Sequence, residues 1–289
     1  MDRPSRVAPG QPLPAVYAPL VGSGWGTRAV YVPAALLALF LGLPVAVLVA
    51  RSVVDGSLAR ALTAQVVLSA LALSLTTTAV SLALTVVFGL PLAYLLARRR
   101  FRGSWLVEAI VDLPLVLPPS VAGLALLLVL GRRGLLGGAL EAVGMEIPFT
   151  TLAVILAQTF VSAPFFVRSA RAGIASVERD FEDAARIDGA SEIDVFRYII
   201  VPLASTALAA GIVMSWARAL GEFGATIMFA GNIEGRTQTL PLVVYGEFQG
   251  GDLDASIAAA AILVLAAFGV LVAVRLFHWG RALDLRSLG

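Results

Sequence analysis

The chain has 289 residues, of which 59% are apolar and only 14% are charged, with a formal net charge of +2. Soluble domains typically carry roughly 45–50% apolar and about 25% charged residues. One globular core cannot bury this much apolar surface, so part of it is expected to face lipid. The composition argues against a disordered chain, a disulfide scaffold and an ordinary soluble enzyme.

The residue inventory also excludes several kinds of chemistry. The sequence has no Cys, which excludes disulfides, iron–sulfur clusters and thiol nucleophiles. All 21 basic residues are Arg, so the chain has neither the lysine of a nucleotide-binding phosphate loop nor a Schiff-base lysine. The single His, His278, would have to supply any Ser-His-Asp triad alone. We therefore expect no catalytic residue, no metal site and no cofactor bound by this chain.

Apolar runs of about 20 residues predict membrane-spanning helices. Residues 1–28 are polar and are predicted to form a flexible tail; a cleaved signal peptide is the alternative, but the first apolar run begins late and is long for one. A transmembrane domain over 29–277 follows, and then a short tail over 278–289. Its six predicted spans lie at about 29–50, 71–96, 105–130, 147–167, 203–230 and 255–274.

Two of these spans have unusual features. The second apolar run extends from Ala61 to Ala97, so either its helix tilts strongly or its first third lies outside lipid. The third span contains Pro114, Pro118 and Pro119. Proline removes a helix hydrogen bond, and the freed carbonyl must be satisfied by protein or water. The third span is therefore predicted to pack inside the protein.

Arginine positions predict the orientation of the chain. With the N-terminus placed inside, fifteen Arg fall on the inner side and five in outer loops, while Arg218 lies within a span. Cytoplasmic loops are enriched in Lys and Arg, so both termini are predicted to be cytoplasmic.

The polar segment 178–202, between the predicted fourth and fifth spans, holds seven acidic residues. Its pattern predicts a short amphipathic helix, a stop at Gly189, and a second helix capped by Ser191 with Asp194 at capping-box spacing. A solvated loop without a partner is the alternative. Phe181 and Phe196 favour a partner, because they place aromatic bulk on an inner surface.

This segment resembles the E-A-A-x3-G-x9-I-x-L-P loop in permease subunits of ATP-binding-cassette (ABC) importers. The spacing fits throughout, with Asp183 in the position of Glu and Val201 in that of Leu; the adjacent Glu182 could carry the acidic role instead. The resemblance implies a coupling helix that docks on a separate ATPase subunit. The residues it assigns to coupling are Glu182, Asp183, Ala184, Ala185, Gly189, Ala190, Ile199 and Pro202.

A second resemblance comes from the predicted fifth span. Arg218 and Glu222 are four residues apart and can pair on one helix face; they form either a packing ion pair or part of an anion path or gate. The sequence around them, with the later Thr237-Gln238-Thr239-Leu240-Pro241, is similar to molybdate importer permeases, and the related sulfate permeases share its core. The candidate path or gate residues are Pro118, Pro119, Ser120, Arg218, Glu222 and Thr226.

The resemblance implies an all-α membrane protein with the type I ABC importer permease fold. It further implies a homodimer of permease subunits, two ATPase subunits that bind ATP-Mg, and an extracytoplasmic molybdate-binding protein, in a bacterial cytoplasmic membrane and without nucleic acid. Two other classes remain open, an intramembrane enzyme dependent on His278 and an ion-coupled secondary transporter. Molybdate, tungstate and sulfate are not separated by these residues.

Overall fold

A computed structural model describes residues 24–99 and 101–284, with side chains over 29–99 and 101–272. These residues are mostly helical and contain no strand. The helices in the first half are α1 (Gly24–Val54), α2 (Ser57–Ala61), α3 (Gln65–Arg98), α4 (Ser104–Val116), α5 (Pro119–Leu130) and α6 (Gly137–Ala142). Those in the second half are α7 (Thr151–Ala175), α8 (Arg179–Ile187), α9 (Glu192–Asp194), α10 (Val201–Leu203), α11 (Ser205–Leu220), α12 (Gly224–Phe229), α13 (Leu240–Gly250) and α14 (Leu253–Asp284).

Several helix bounds differ from the sequence prediction. Helix α1 begins at Gly24, inside the predicted N-terminal tail, whose first 23 residues lie outside the described chain. Helix α3 begins at Gln65, after a turn over 62–64, so the long second apolar run starts at the end of α2 and continues as one helix from Gln65. At the other end, α14 continues through Asp284, past the predicted end of the last span, and residues 285–289 are outside the described part.

Four helices in the described residues are long and apolar enough to cross a membrane, at Ala29–Val54, Gln65–Arg98, Thr151–Ala175 and Leu253–Val272. A fifth span results if the bent pair Glu192–Leu203 and Ser205–Leu220, which meet at 74°, is counted as one. The predicted third span is divided into α4 and α5. Residues 24–47 belong to a separate compact unit. Its apolar side chains from residue 30 onward are exposed, as expected of a lipid-facing helix.

Helix α7 is the centre of the second unit, which begins at Leu48. Its Phe166, Ala170 and Ile174 are buried in an apolar cluster with the end of α3 and the start of α11. Further towards its N-terminus, α7 buries Val154 and Ala157 against α5 and α12. The helix therefore joins the two regions in which the candidate functional residues lie.

Small residues bring α7 and α11 close together. A Cβ on Gly173 would overlap the Cβ of Ala207, and one on Gly211 would lie 2.9 Å from the Cβ of Ser169. Ser169 Oγ also donates a 2.7 Å hydrogen bond to the Ala207 carbonyl. Close helix approach through small residues and interhelical hydrogen bonds is typical of membrane bundles, because helices surrounded by lipid gain no hydrophobic driving force from association.

Candidate functional site

The polar segment 178–202 folds as two short helices separated by a left-handed glycine. Helix α8 begins with acidic residues in its first turn, which favours a helix N-terminus, and ends before Asp188. Gly189 has φ +90°, and the Ala190 N–H reaches back 3.0 Å to the Ala185 carbonyl. No atom lies within 4 Å of a Cβ built on Gly189, so glycine is required here for its backbone conformation and not for space.

The predicted capping box is confirmed at the start of the second helix. Ser191 Oγ accepts the Asp194 N–H at 3.2 Å, and Asp194 Oδ2 accepts the Ser191 N–H at 3.1 Å. The pKa of Asp194 lies below its usual value, mainly because its carboxylate accepts a hydrogen bond from the Ser191 hydroxyl and secondly because it accepts one from the Ser191 backbone N–H. The helix continues through a π-helical stretch, Val195–Ile200, to Leu203.

The two adjacent acids of α8 lie in different environments. Glu182 is buried and its carboxylate contacts Arg98 Nη2 at 2.6 Å and Arg186 Nη2 at 3.2 Å. The side chain of Asp183 is 67% exposed and contacts Arg186 Nη1 at 2.9 Å. Glu182 is thus held by its own chain, whereas Asp183 is accessible to another protein.

Arg186 joins the two short helices. Its Nε donates a 2.8 Å hydrogen bond to Glu192 Oε1 in α9, in addition to its contacts within α8. The Glu192 hydrogen bond is the largest cause that raises the pKa of Arg186, and Arg186 in turn lowers the pKa of Glu192. The ion pairs of Arg186 therefore link the two short helices to each other.

The segment presents an apolar surface between these charges. The exposed side chains are Phe181, Ile187, Ile193 and Tyr198, of which Ile187 is 85% exposed. Of the other predicted coupling residues, Ala184 and Pro202 are exposed, while Ala185, Ala190 and Ile199 are half-buried. Phe196 packs edge-on against Tyr94 of α3, with ring centroids 5.2 Å apart. Exposed apolar side chains in a charged surround are typical of an interaction surface.

The candidate path residues lie at two helix breaks. Leu117, before Pro118, is extended, because proline disfavours the helical conformation of the residue before it, and α5 begins at Pro119. The predicted fifth span also breaks, between α11 and α12 at residues 221–223, so Arg218 and Glu222 are not on one continuous helix as the sequence suggested.

Glycines bring the two breaks together. A Cβ on Gly224 would lie 2.8 Å from Pro119 Cβ and 3.1 Å from the Ser120 backbone nitrogen. A Cβ on Gly123 would lie 2.5 Å from the Ala225 carbonyl oxygen. The first turns of α5 and α12 are therefore in backbone contact, and Pro118, Pro119 and Ser120, all exposed, lie beside them.

Glu222 is fully buried at the second break and joins its two sides. Its Oε2 lies 2.6 Å from Arg218 Nη1 in α11, and its Oε1 accepts the Ala225 N–H of α12 at 2.7 Å. The Arg218 side chain is 27% exposed. Close by, the buried Thr226 hydroxyl has no hydrogen-bond partner in the described chain. The region thus combines a partly accessible cation with a free hydroxyl.

The family model "Binding-protein-dependent transport system inner membrane component" matches residues 89–280, which include the segment 178–202 and both helix breaks. The chain belongs to this family of ABC importer permeases. Members of the family that are similar to it are membrane transport subunits and not catalytic enzymes.

Individual proteins agree with this assignment. The permease is 42% identical over 248 residues to the molybdenum transport system permease protein ModB of Mycobacterium tuberculosis, covering 86% of this chain and 93% of ModB. It is 32% identical to a probable sulfate transport system permease protein of Nephroselmis olivacea, with 93% of each chain covered. A bacterial ABC transporter involved in alginate import has the same fold, with TM-score 0.68, 19% identity and coverage of 89% and 96%.

Sequence reasoning missed the partners of several charges in the permease. The arginine count does not predict that Arg98 contacts the buried Glu182. Glu108 pairs with Arg171 at 2.9 Å, and Asp112 lies 3.7 Å from Arg168. The two acids are four residues apart and the two arginines three, so the acids share one face of their helix and the arginines share one face of theirs. This spacing was the sequence signal for the two ion pairs.

Proposed function

We propose that the chain is the membrane-spanning permease subunit of an ABC importer that moves molybdate inward by alternating access, driven by a separate ATPase subunit. The observation that carries the proposal is the segment 178–202, in which Arg186 pairs with Glu182 and Glu192 while Phe181 and Ile187 are exposed. A folded surface with exposed apolar anchors is suited to docking in a partner's cleft. Asp183, with its exposed carboxylate, is the acid assigned to that partner.

The proposed topology has six spans with both termini in the cytoplasm of a bacterium, in agreement with the arginine distribution. In this topology α4 and α5 together form the third span, and α11 and α12 together form the fifth. The segment 178–202 faces the cytoplasm. Broken helices are tolerated at membrane depth where they line a cavity or are buried in protein. This supports a path beside Pro118, Pro119 and Ser120, with Arg218, Glu222 and Thr226 on its other side.

The proposed complex contains two copies of this chain, two ATPase subunits and an extracytoplasmic molybdate-binding protein. The absence of Lys supports the assignment of ATP-Mg to the ATPase partner, and no cofactor is proposed for this chain. The molybdate assignment rests on the identity to ModB, which exceeds that to the sulfate relative. Hydroxyl and Arg donors are suited to a tetrahedral oxyanion.

Uptake of radiolabelled molybdate into vesicles tests the proposal. We expect uptake only when the ATPase, ATP and the binding protein are all present, and inhibition by excess molybdate at lower concentration than by tungstate or sulfate. Uptake by the purified chain in an ion gradient without an ATPase would instead show a secondary transporter. Stronger competition by sulfate would contradict the molybdate assignment while leaving the permease function intact.

A further inference from the structure

Arg98, the last residue of α3, contacts the coupling segment 178–202 and the residue before it. Its Nη2 lies 2.6 Å from Glu182 Oε1 and donates a 2.9 Å hydrogen bond to the Val177 carbonyl. The side chains of Arg98 and Glu182 are only 8% and 5% exposed. One arginine therefore holds both the entry to the segment and its first helix.

The second half of the segment contacts the same face of α3 one turn earlier. Tyr94 is four residues before Arg98, so the two side chains are neighbours on that face. The Tyr94 ring meets Phe196 of the π-helical stretch edge-on, with 78° between the ring planes, an arrangement that aromatic pairs favour. Both short helices of the segment thus pack on the last two turns of α3.

The backbone bends sharply where it leaves the segment and enters α11. Helix Glu192–Leu203 meets α11 at 74°, so the segment does not continue α11 along its axis. Residues 176–178 separate α7 from α8 in the same way. Val195 and Ile200 of the segment share a buried apolar cluster with Phe166 of α7, and the contacts of Arg98 and Tyr94 add an ion pair and an aromatic contact with α3.

We infer that Arg98 is a positioning residue for transport, which together with Tyr94 makes the end of α3 move as one body with the coupling segment. The inference rests on the proposed function, because the ATPase partner supplies the movement. Removal of Arg98 leaves the Glu182 carboxylate buried with Arg186 alone, and the first short helix then loses its ion pair with α3 while the Tyr94–Phe196 contact remains. The exposed Asp183 is unaffected, so docking of the ATPase persists.

Arg98→Gln tests the inference in the purified complex with its ATPase and binding protein. We expect ATP hydrolysis to persist and molybdate uptake per ATP to fall about tenfold. Arg98→Lys, which keeps a cation beside Glu182, should retain more coupling than Arg98→Gln. The matched control is Arg102→Gln. Arg102 is an exposed arginine four residues after Arg98, and it has no ion pair in the described chain. An unchanged ratio of uptake to hydrolysis in Arg98→Gln overturns the inference.

A covalent bridge provides a test that keeps Arg98. The chain has no Cys, so Tyr94→Cys with Phe196→Cys gives a unique pair for a short bismaleimide. We expect the bridged transporter to retain uptake, since α3 and the segment move together. Loss of uptake on bridging, with uptake intact before it, shows that they move apart and overturns the inference even if Arg98→Gln does not assemble. Failure of the wild-type complex to use ATP contradicts the proposed function instead.

Discussion

Arg218 and Glu222 form an ion pair across the point at which helix α11 ends, 2.6 Å apart and with the carboxylate fully buried. The same carboxylate accepts the Ala225 N–H of the next helix. One side chain therefore holds the two parts of the predicted fifth span in register. Buried charges of this kind stabilise only while both partners are present.

Arg218→Gln should destabilise the protein more than Glu222→Gln. Loss of the arginine leaves a buried carboxylate uncompensated, at a cost of about 3 kcal/mol, the lower end of the usual range because Arg218 is 27% exposed. Glu222→Gln leaves a partly exposed guanidinium and keeps an oxygen for Ala225, so it costs less. Thermal unfolding in detergent measures both variants. The control is Glu234→Gln, which changes an exposed acid with no ion pair in the described residues; equal effects of the two test variants contradict the prediction.

Local features of the coupling segment were predictable from the sequence, whereas its attachment was not. The stop at Gly189 and the Ser191–Asp194 box depend on residues within one or two helical turns, and both are present. The contact of Arg98 with Glu182 depends on the packing of α3 against distant helices. The pattern around Phe196 fits both an inner contact and a partner surface, because both are apolar, and the structure shows the contact with Tyr94.

The helix breaks were predictable in part. Proline predicted the interruption at Pro118 because its effect on the preceding residue is local. The break after Leu220 has no proline, and the helical spacing of Arg218 and Glu222 suggested a continuous helix. The backbone contact of Gly224 with Pro119 belongs to tertiary packing, which the sequence pattern does not encode locally.

Gly189→Ala should impair coupling through backbone strain. A residue with a Cβ at φ +90° costs about 1–2 kcal/mol, which would unwind the end of α8 or displace the second short helix. Gly189→Asn should be tolerated better, since Asn adopts left-handed conformations more readily. We expect ATP-driven molybdate uptake to fall in the order Gly, Asn, Ala.

Gly138→Ala is the control for that series, because no atom lies within 4 Å of its Cβ and its φ is not positive. Its uptake should equal that of the wild type. If Gly189→Ala also transports at the wild-type rate, the left-handed turn is not required for coupling.

The start of the second short helix should open in acid. Ser191 and Arg186 hold the pKa values of Asp194 and Glu192 below their usual values, so the two ionised carboxylates stabilise the fold above the unfolded-state values of about 4. This contribution is complete at neutral pH and is lost as the pH falls through the lower, folded-state values. Hydrogen exchange of residues 191–195, corrected for intrinsic rates, should show protection at pH 7 that declines below about pH 4.

Asp194→Asn should weaken this protection at neutral pH and reduce its dependence on pH, since the amide does not titrate. Asp188→Asn is the matched control, an exposed acid of the same segment without an ion pair in the part of the chain described. Equal protection of the wild type at pH 7 and pH 3 would contradict the assignment of the two carboxylates.

Thr226→Val separates a path residue from a packing residue. The Thr226 hydroxyl is buried and has no hydrogen-bond partner in the described chain, so its replacement by a methyl group of similar size should leave the unfolding temperature unchanged or higher. If the hydroxyl donates to the oxyanion beside Arg218, molybdate uptake should fall about tenfold, as expected for loss of a hydrogen bond to a charged group. Thr226→Ser should restore uptake.

Thr85→Val supplies the comparison that decides the interpretation of Thr226. Thr85 is also a buried threonine whose hydroxyl has no partner among the described residues, but it lies on α3, beside an apolar groove lined by Phe88 and Pro114. Both variants lose a hydroxyl at equal volume, so a general effect of polarity would lower uptake in both. We expect only Thr226→Val to lose transport, because only that hydroxyl is at the break that carries Arg218 and Glu222. Equal uptake in the two variants would assign Thr226 to packing.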